Sequence, residues 1–96
     1  MKLLLLIYAG DSPERVTELL DRHQAVGYTE LPGAHGAGQT GRRMGTRAWP
    51  GRNTVLFTIV PAEAEQEVIA AVMVESSQLP EGERLHVASL PVSYVV

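Results

Sequence analysis

Along the 96 residues, the apolar positions fall into four strand-length runs and two helical stripes. Residues 2–9 are continuous apolar sequence closed by Gly10-Asp11, which predicts a central strand or one covered on both faces. Ser12-Pro13 predicts a helix start, with Ser12 as N-cap and proline at the first helical position, where its missing N–H costs nothing. Val16, Leu19, Leu20 and His23 then recur at i, i+3, i+4 and i+7, with Glu14, Glu18, Asp21 and Arg22 mainly opposite. That spacing predicts an amphipathic helix ending near Gly27. Residues 28–31 predict a short second strand stopped by Pro32-Gly33. Residues 53–60 are β-branched and apolar without a breaker, a third strand that runs antiparallel to the second if the stretch between them is a hairpin excursion.

Pro61 opens a second predicted helix, with Glu63, Glu65 and Glu67 near its positive N-terminal end. Val68, Ile69, Val72 and Met73 are expected on its inward face. Residues 76–82, with Pro80 and Gly82, read as a loop, and residues 85–90 as a fourth strand that Pro91 turns into an edge or a bent extension. The order β-α-β-β-α-β predicts an α+β, ferredoxin-like sandwich: a four-stranded antiparallel sheet with two helices on one face. The expected unit is one domain, residues 1–96, with a long loop at about 33–52. Runs such as Leu3-Leu4-Leu5-Leu6 and Val55-Leu56-Phe57 are apolar at both parities, so the second sheet face should also be buried. A homo-oligomer that packs sheet on sheet would achieve this.

Composition narrows the picture. An apolar content of 45% in 96 residues supports one core, and a domain of this size buries only about 60–65% of its unfolded surface, so self-association would help it. The absence of cysteine excludes a disulfide framework, a thiolate metal site and a cysteine nucleophile. The opening apolar run lacks a small-residue cleavage site, and no run reaches the roughly 18–20 residues that span a bilayer. A cytoplasmic protein without membrane insertion is expected.

The net charge of −3 is unevenly spread. Residues 33–52 hold Arg42, Arg43, Arg47 and Arg52 and no carboxylate, whereas the other 76 residues hold four basic and eleven acidic side chains. So acidic a body disfavours nucleic-acid binding, which calls for a broad basic face. A local anion site remains compatible.

That site would lie in the loop. It holds six glycines, densest in Gly36-Ala37-Gly38-Gln39-Thr40-Gly41, and such backbone can aim several N–H groups at one anion. Nearby arginines can grip phosphate oxygens bidentately. The pattern is neither a Walker loop nor a dinucleotide fingerprint. The plainer reading is a flexible hairpin using glycine for mobility and arginine for solubility, but loops this long in a compact domain are uncommon unless functional or disordered. Trp49, beside Pro50, serves as an anchor at the loop base or as a contact for a partner.

Other candidate chemistry is sparse. His23 reads as a partly buried helix residue and His86 as core or interface. His35 lies in the glycine loop, where several copies together with Glu30 could ligate a metal. No nucleophile has an evident base, and Glu63, Glu65 and Glu67 read as a solvated helix start, so no enzyme activity is expected. An enzyme with a pocket between helices and sheet would have only Tyr28 or His86 to offer.

Together these residues resemble the PII signal-transduction superfamily, as a short PII-like relative of the nitrogen regulatory proteins. The resemblance rests on the element order, on Gly27-Tyr28-Thr29-Glu30, and on the glycine cluster opening a long loop. It also draws on Gly45-Thr46-Arg47-Ala48-Trp49-Pro50-Gly51-Arg52-Asn53 and Glu81-Gly82-Glu83-Arg84-Leu85-His86-Val87. It implies a homotrimer with an adenine nucleotide in each cleft between subunits, no obligatory cofactor, and a loop that docks on a transporter, enzyme or regulator. By position, Gly36, Gly38 and Gln39 would meet the phosphates, Arg84 would replace the family's phosphate-binding lysine, and Gly82 would let the backbone approach. Arg42, Arg43, Arg47, Arg52 and Trp49 would face the partner. No tyrosine lies between Gly33 and Arg52 to accept uridylylation. Ser76-Ser77-Gln78-Leu79-Pro80 replaces the usual glycine-containing approach, and no C-terminal arginine segment appears before Val96. These departures weigh against tight ATP binding and leave AMP, ADP or another anion open as the ligand.

Overall fold

The computed structural model describes residues 1–23, 25, 27–36 and 52–96. Its elements are β1 (Lys2–Ala9), α1 (Glu14–Arg22), β2 (Thr29–Ala34), β3 (Asn53–Val60), a 3₁₀ turn (Ala62–Ala64), α2 (Glu65–Ser77) and β4 (Arg84–Pro91). The sheet order is β2-β3-β1-β4, and every neighbouring pair is antiparallel. This is the α+β, ferredoxin-like arrangement expected from the pattern, with β1 and β3 central because they are the longest unbroken apolar runs.

Alternation decides what each strand residue does. Leu4, Leu6 and Tyr8 of β1 with Leu56 and Val60 of β3 are fully buried against Val16, Leu19 and Leu20 of α1 and Val68 and Val72 of α2. Each such aliphatic side chain stabilises the fold by about 1.5–3 kcal/mol relative to exposure. The helices run antiparallel and are stapled at both ends. Arg15 donates to Glu75 at 2.8 Å, and His23 meets Glu67 at 3.0 Å.

Among the described residues, no element covers the face of opposite parity. The register sets Leu3 beside Ile59 and Leu90, Leu5 beside Phe57 and Ala88, and Ile7 beside Val55 and His86. In the isolated chain Ile7 and Leu31 are 42% and 48% exposed. One copy by itself does not bury this face; the expected burial called for a second copy.

Several boundaries differ from expectation, each for a local reason. Ser12 does not cap α1 with its side chain. Pro13 takes the N-cap position, with no side-chain cap bond, and Ser12 contributes its carbonyl to the N–H of Arg15 at 3.0 Å. Helix α1 stops at Arg22 rather than near Gly27, because the N–H of buried Ala25 turns back to the carbonyl of Leu20. Strand β2 starts at Thr29 and runs through Pro32-Gly33 to Ala34, with a bulge between Leu31 and Ala34 and Gly33 at φ +77°. An edge strand tolerates proline, and glycine takes the bulge conformation that other residues resist. Pro91 likewise ends the other edge strand, β4. After Pro61 the chain makes a 3₁₀ turn before α2 begins, and α2 continues through Ser77. Met73 is 66% exposed, not inward.

Candidate functional site at the loop end of the sheet

The antiparallel order gathers four termini at one end of the sheet: the ends of β1 and β2 and the starts of β3 and β4. Ala34 lies opposite Asn53, Asn53 opposite Ala9, and Ala9 opposite Arg84. This row forms a step of small and polar residues at the rim of the apolar face. Both ends of the 33–52 stretch and the turn preceding β4 open from it.

Of the expected phosphate-site residues, Gly36, Gly82 and Arg84 belong to this end, whereas Gly38 and Gln39 lie outside the described residues. Gly36 is exposed, and among the described residues nothing lies within 4 Å of where a Cβ would stand. Gly82 has φ +91° in the turn that aims β4 back along β1, a conformation that favours glycine. Arg84, the first residue of β4, is exposed, and alternation sets it on the uncovered face while Leu85 is buried under the helices. Among the described residues Arg84 makes no ion pair. Gly36 and Arg84 follow opposite edges of the sheet. Three strand spacings, roughly 14 Å, separate those edges, so one copy does not bring them together.

The expected partner-facing residues are less accessible to description. Arg42, Arg43, Arg47 and Trp49 lie outside the described residues. Arg52 bonds through Nη1 to Oδ1 of Asp11, and its carbonyl accepts the N–H of Gly10 at 3.3 Å. It therefore anchors the exit of the loop to the corner after β1, a structural duty that the sequence did not reveal.

His35 is exposed just before the end of the described segment, and Glu30 is exposed on β2. Among the described residues no three metal-ligating side chains are gathered. Tyr28 and His86 are both exposed, so neither projects into a pocket between helices and sheet, and His86 is not a core residue.

Sequence reasoning missed the group that fixes this end. Tyr8, fully buried at the last inward position of β1, donates from its hydroxyl to Oε1 of Glu83 at 2.7 Å. The same hydroxyl accepts the N–H of Ser12 at 3.0 Å, and Oε2 of Glu83 lies 3.5 Å from the N–H of Asp11. Burial, and then the bond to Glu83, hold the Tyr8 pKa above its ordinary 10.0. A Cβ on Gly10 would stand 2.3 Å from the Tyr8 hydroxyl and 2.6 Å from Cδ of Glu83, so any larger residue here displaces the phenol or the carboxylate. The signal was present as a tyrosine among inward leucines followed by glycine, since a buried phenol requires a hydrogen-bond partner. Its partner in the distant turn was not legible from spacing.

No family model matches the sequence, and no curated protein matches it. Solved structures do. CPII, a nitrogen regulatory PII-like protein from Thiomonas intermedia K12 bound to ADP, AMP and bicarbonate, superposes with a TM-score of 0.68 at 22% identity, over 99% of this chain and 94% of that one. The chain has the PII-like fold. CPII bound to ADP and bicarbonate gives 0.66 at 24% identity, covering 93% of this chain and 86% of that one. A protein assigned to PII-like signalling, from Thermus thermophilus, gives 0.63 at 26% identity over 93% of this chain and 84% of that one. The residues between β2 and β3 fall where the PII-like fold carries a long loop, as the resemblance implied. Among the described residues no helix is long and apolar enough to cross a membrane.

Proposed function

We propose that this chain is a PII-like regulatory protein that senses an adenine nucleotide, AMP or ADP in the first instance, in clefts between copies of itself. The observation that carries the reading is the position of Gly82 and Arg84. They lie at the rim of an uncovered apolar face, on the edge opposite Gly36 at the same end of the sheet. Packing the open faces together buries Leu5, Ile7, Val55 and Phe57 and sets the β4 edge of one copy against the β2 edge of the next. The cleft then has the glycine-bearing stretch with Gly36, Gly38 and Gln39 on one side, and Gly82 with Arg84 on the other. Three copies is the number that the PII resemblance implies.

Arg84 supplies the fixed positive charge that a phosphate needs, and the positive-φ turn at Gly82 lets backbone N–H groups approach the oxygens. The solved relative CPII holds ADP and AMP, which supports the same ligand class here. Ligand binding shifts the loop only as far as it favours one loop conformation over another. Arg42, Arg43, Arg47 and Trp49 are the residues proposed to meet a transporter, enzyme or regulator, with Arg52 reassigned to the loop anchor. Thermal denaturation with AMP, ADP and ATP tests the reading. A melting temperature that rises with AMP or ADP supports it, and an unmoved transition at millimolar concentrations of all three removes it.

A further inference from the structure

We propose that Tyr8 is a positioning residue for the nucleotide cleft, holding the carboxylate of Glu83 away from Arg84 so that the guanidinium is left for phosphate; this rests on the nucleotide reading above. Glu83 lies between Gly82 and Arg84 in the chain. It is the wrong charge at the centre of a phosphate-binding turn, where a carboxylate repels the ligand and competes for the cation. Sheet pairing does not keep it aside, because β4 and its register with β1 begin at Arg84.

Its hydrogen bonds do. Oε1 of Glu83 accepts the Tyr8 hydroxyl at 2.7 Å, and Oε2 lies 3.5 Å from the N–H of Asp11. The phenol is fully buried and is fixed in turn by the N–H of Ser12 at 3.0 Å. With its pKa held above 10.0, it remains a donor across the neutral range. Gly10 closes over the pair, for a Cβ there would stand 2.6 Å from Cδ of Glu83. The other carboxylate of this corner, Asp11, is taken by Nη1 of Arg52. Among the described residues Arg84 thus makes no ion pair, although Glu83 is its neighbour in the chain. Glu81 is exposed in the same turn and is unchanged in every variant below. Without the phenolic donor, the Glu83 carboxylate gains by pairing with Arg84, and phosphate must displace it.

The test is calorimetric titration of ADP into the assembled wild-type protein and into Tyr8→Phe, Glu83→Asp, Glu83→Gln and the double variant Tyr8→Phe/Glu83→Gln. Light scattering checks assembly, and circular dichroism checks folding at the titration temperature. Tyr8→Phe removes the donor, and Glu83→Asp shortens the side chain so that the charge is kept but drawn out of the phenol's reach. Both should bind ADP about threefold to tenfold more weakly than wild type. Glu83→Gln keeps an oxygen for the phenol and removes the charge, and should bind at least as tightly as wild type. The double variant should recover that affinity although it lacks the same phenol as Tyr8→Phe, whereas loss of stability alone would leave the two equally weak. If Tyr8→Phe does not fold, Glu83→Asp against Glu83→Gln decides, and equal affinity overturns the role of Tyr8. Wild-type affinity in both Tyr8→Phe and Glu83→Asp, or a double variant as weak as Tyr8→Phe, also overturns it and leaves the nucleotide reading standing. No binding to the wild-type protein overturns both.

Discussion

Tyr8 donates its hydroxyl to Glu83 at 2.7 Å across 75 residues of sequence, and the same oxygen accepts the N–H of Ser12. One buried phenol thereby ties the end of β1, the approach to α1 and the turn carrying Gly82 to each other. Replacing it by phenylalanine keeps the packing and strips the partners, so Tyr8→Phe should lose about 1–3 kcal/mol in urea denaturation. It should also change the alkaline limb. The folded-state pKa is raised above the unfolded 10.0, so the contribution of the phenol is complete below pH 10 and lost as pH rises through the folded value. Denaturation midpoints between pH 9 and 11 should fall less steeply in Tyr8→Phe than in wild type. Parallel curves would mean that Tyr8 titrates as it does in the unfolded chain.

Gly10 packs against the same cluster. With a Cβ placed 2.3 Å from one oxygen and 2.6 Å from Cδ of Glu83, Gly10→Ala should cost about 1–3 kcal/mol from overpacking. Gly36→Ala, where among the described residues nothing lies within 4 Å, should leave stability within about 0.5 kcal/mol of wild type. Chemical denaturation of the two variants side by side checks both values.

The open sheet face gives a prediction about mass. Leu5 and Phe57 are paired across its centre, so Leu5→Glu or Phe57→Glu puts a carboxylate where copies would pack. Either variant should sediment as a folded monomer while the wild-type protein sediments as a trimer, because desolvating an unpaired charge costs far more than association gains. A wild-type monomer at micromolar concentration would leave the face without its proposed cover.

Arg84 and Arg52 lie near one end of the sheet and should behave differently. Arg84→Ala should keep the wild-type melting temperature and bind ADP about tenfold or more weakly, from the loss of a charge-assisted bond. Arg52→Ala breaks an exposed pair with Asp11, worth about 0.2–1 kcal/mol, and should lower stability slightly. Equal ADP affinity in wild type and Arg84→Ala would place the phosphates elsewhere.

How far the sequence spoke depends on whether a feature is local. The bounds of β1 and β3 followed from unbroken apolar runs, and the four-stranded antiparallel sheet followed from the β-α-β-β-α-β succession. Element ends were misjudged where tertiary pairing overrode a local signal. Pro32-Gly33 reads as a stop, yet pairing with β3 carries β2 past it as a bulge. Ser12 reads as a cap, yet its N–H is drawn to Tyr8. Met73 fits the inward stripe of α2, yet a helix apolar on several sides leaves part of that surface in water. In the candidate site, Gly36, Gly82 and Arg84 were named from the sequence, and the structure sets them at one end of the sheet. The Tyr8–Glu83 and Asp11–Arg52 pairs were not named, because they join residues 75 and 41 positions apart and no periodicity encodes such a contact.

If an adenine nucleotide occupies a cleft that one copy cannot complete, its binding must depend on assembly. Calorimetric titration of ADP into wild-type protein and into Leu5→Glu, both verified as folded, tests this most directly. The expected result is saturable binding of one ADP per chain in wild type and at least tenfold weaker binding in the monomeric variant. Equal affinity in the two, or no heat from wild type at millimolar ADP, would contradict it.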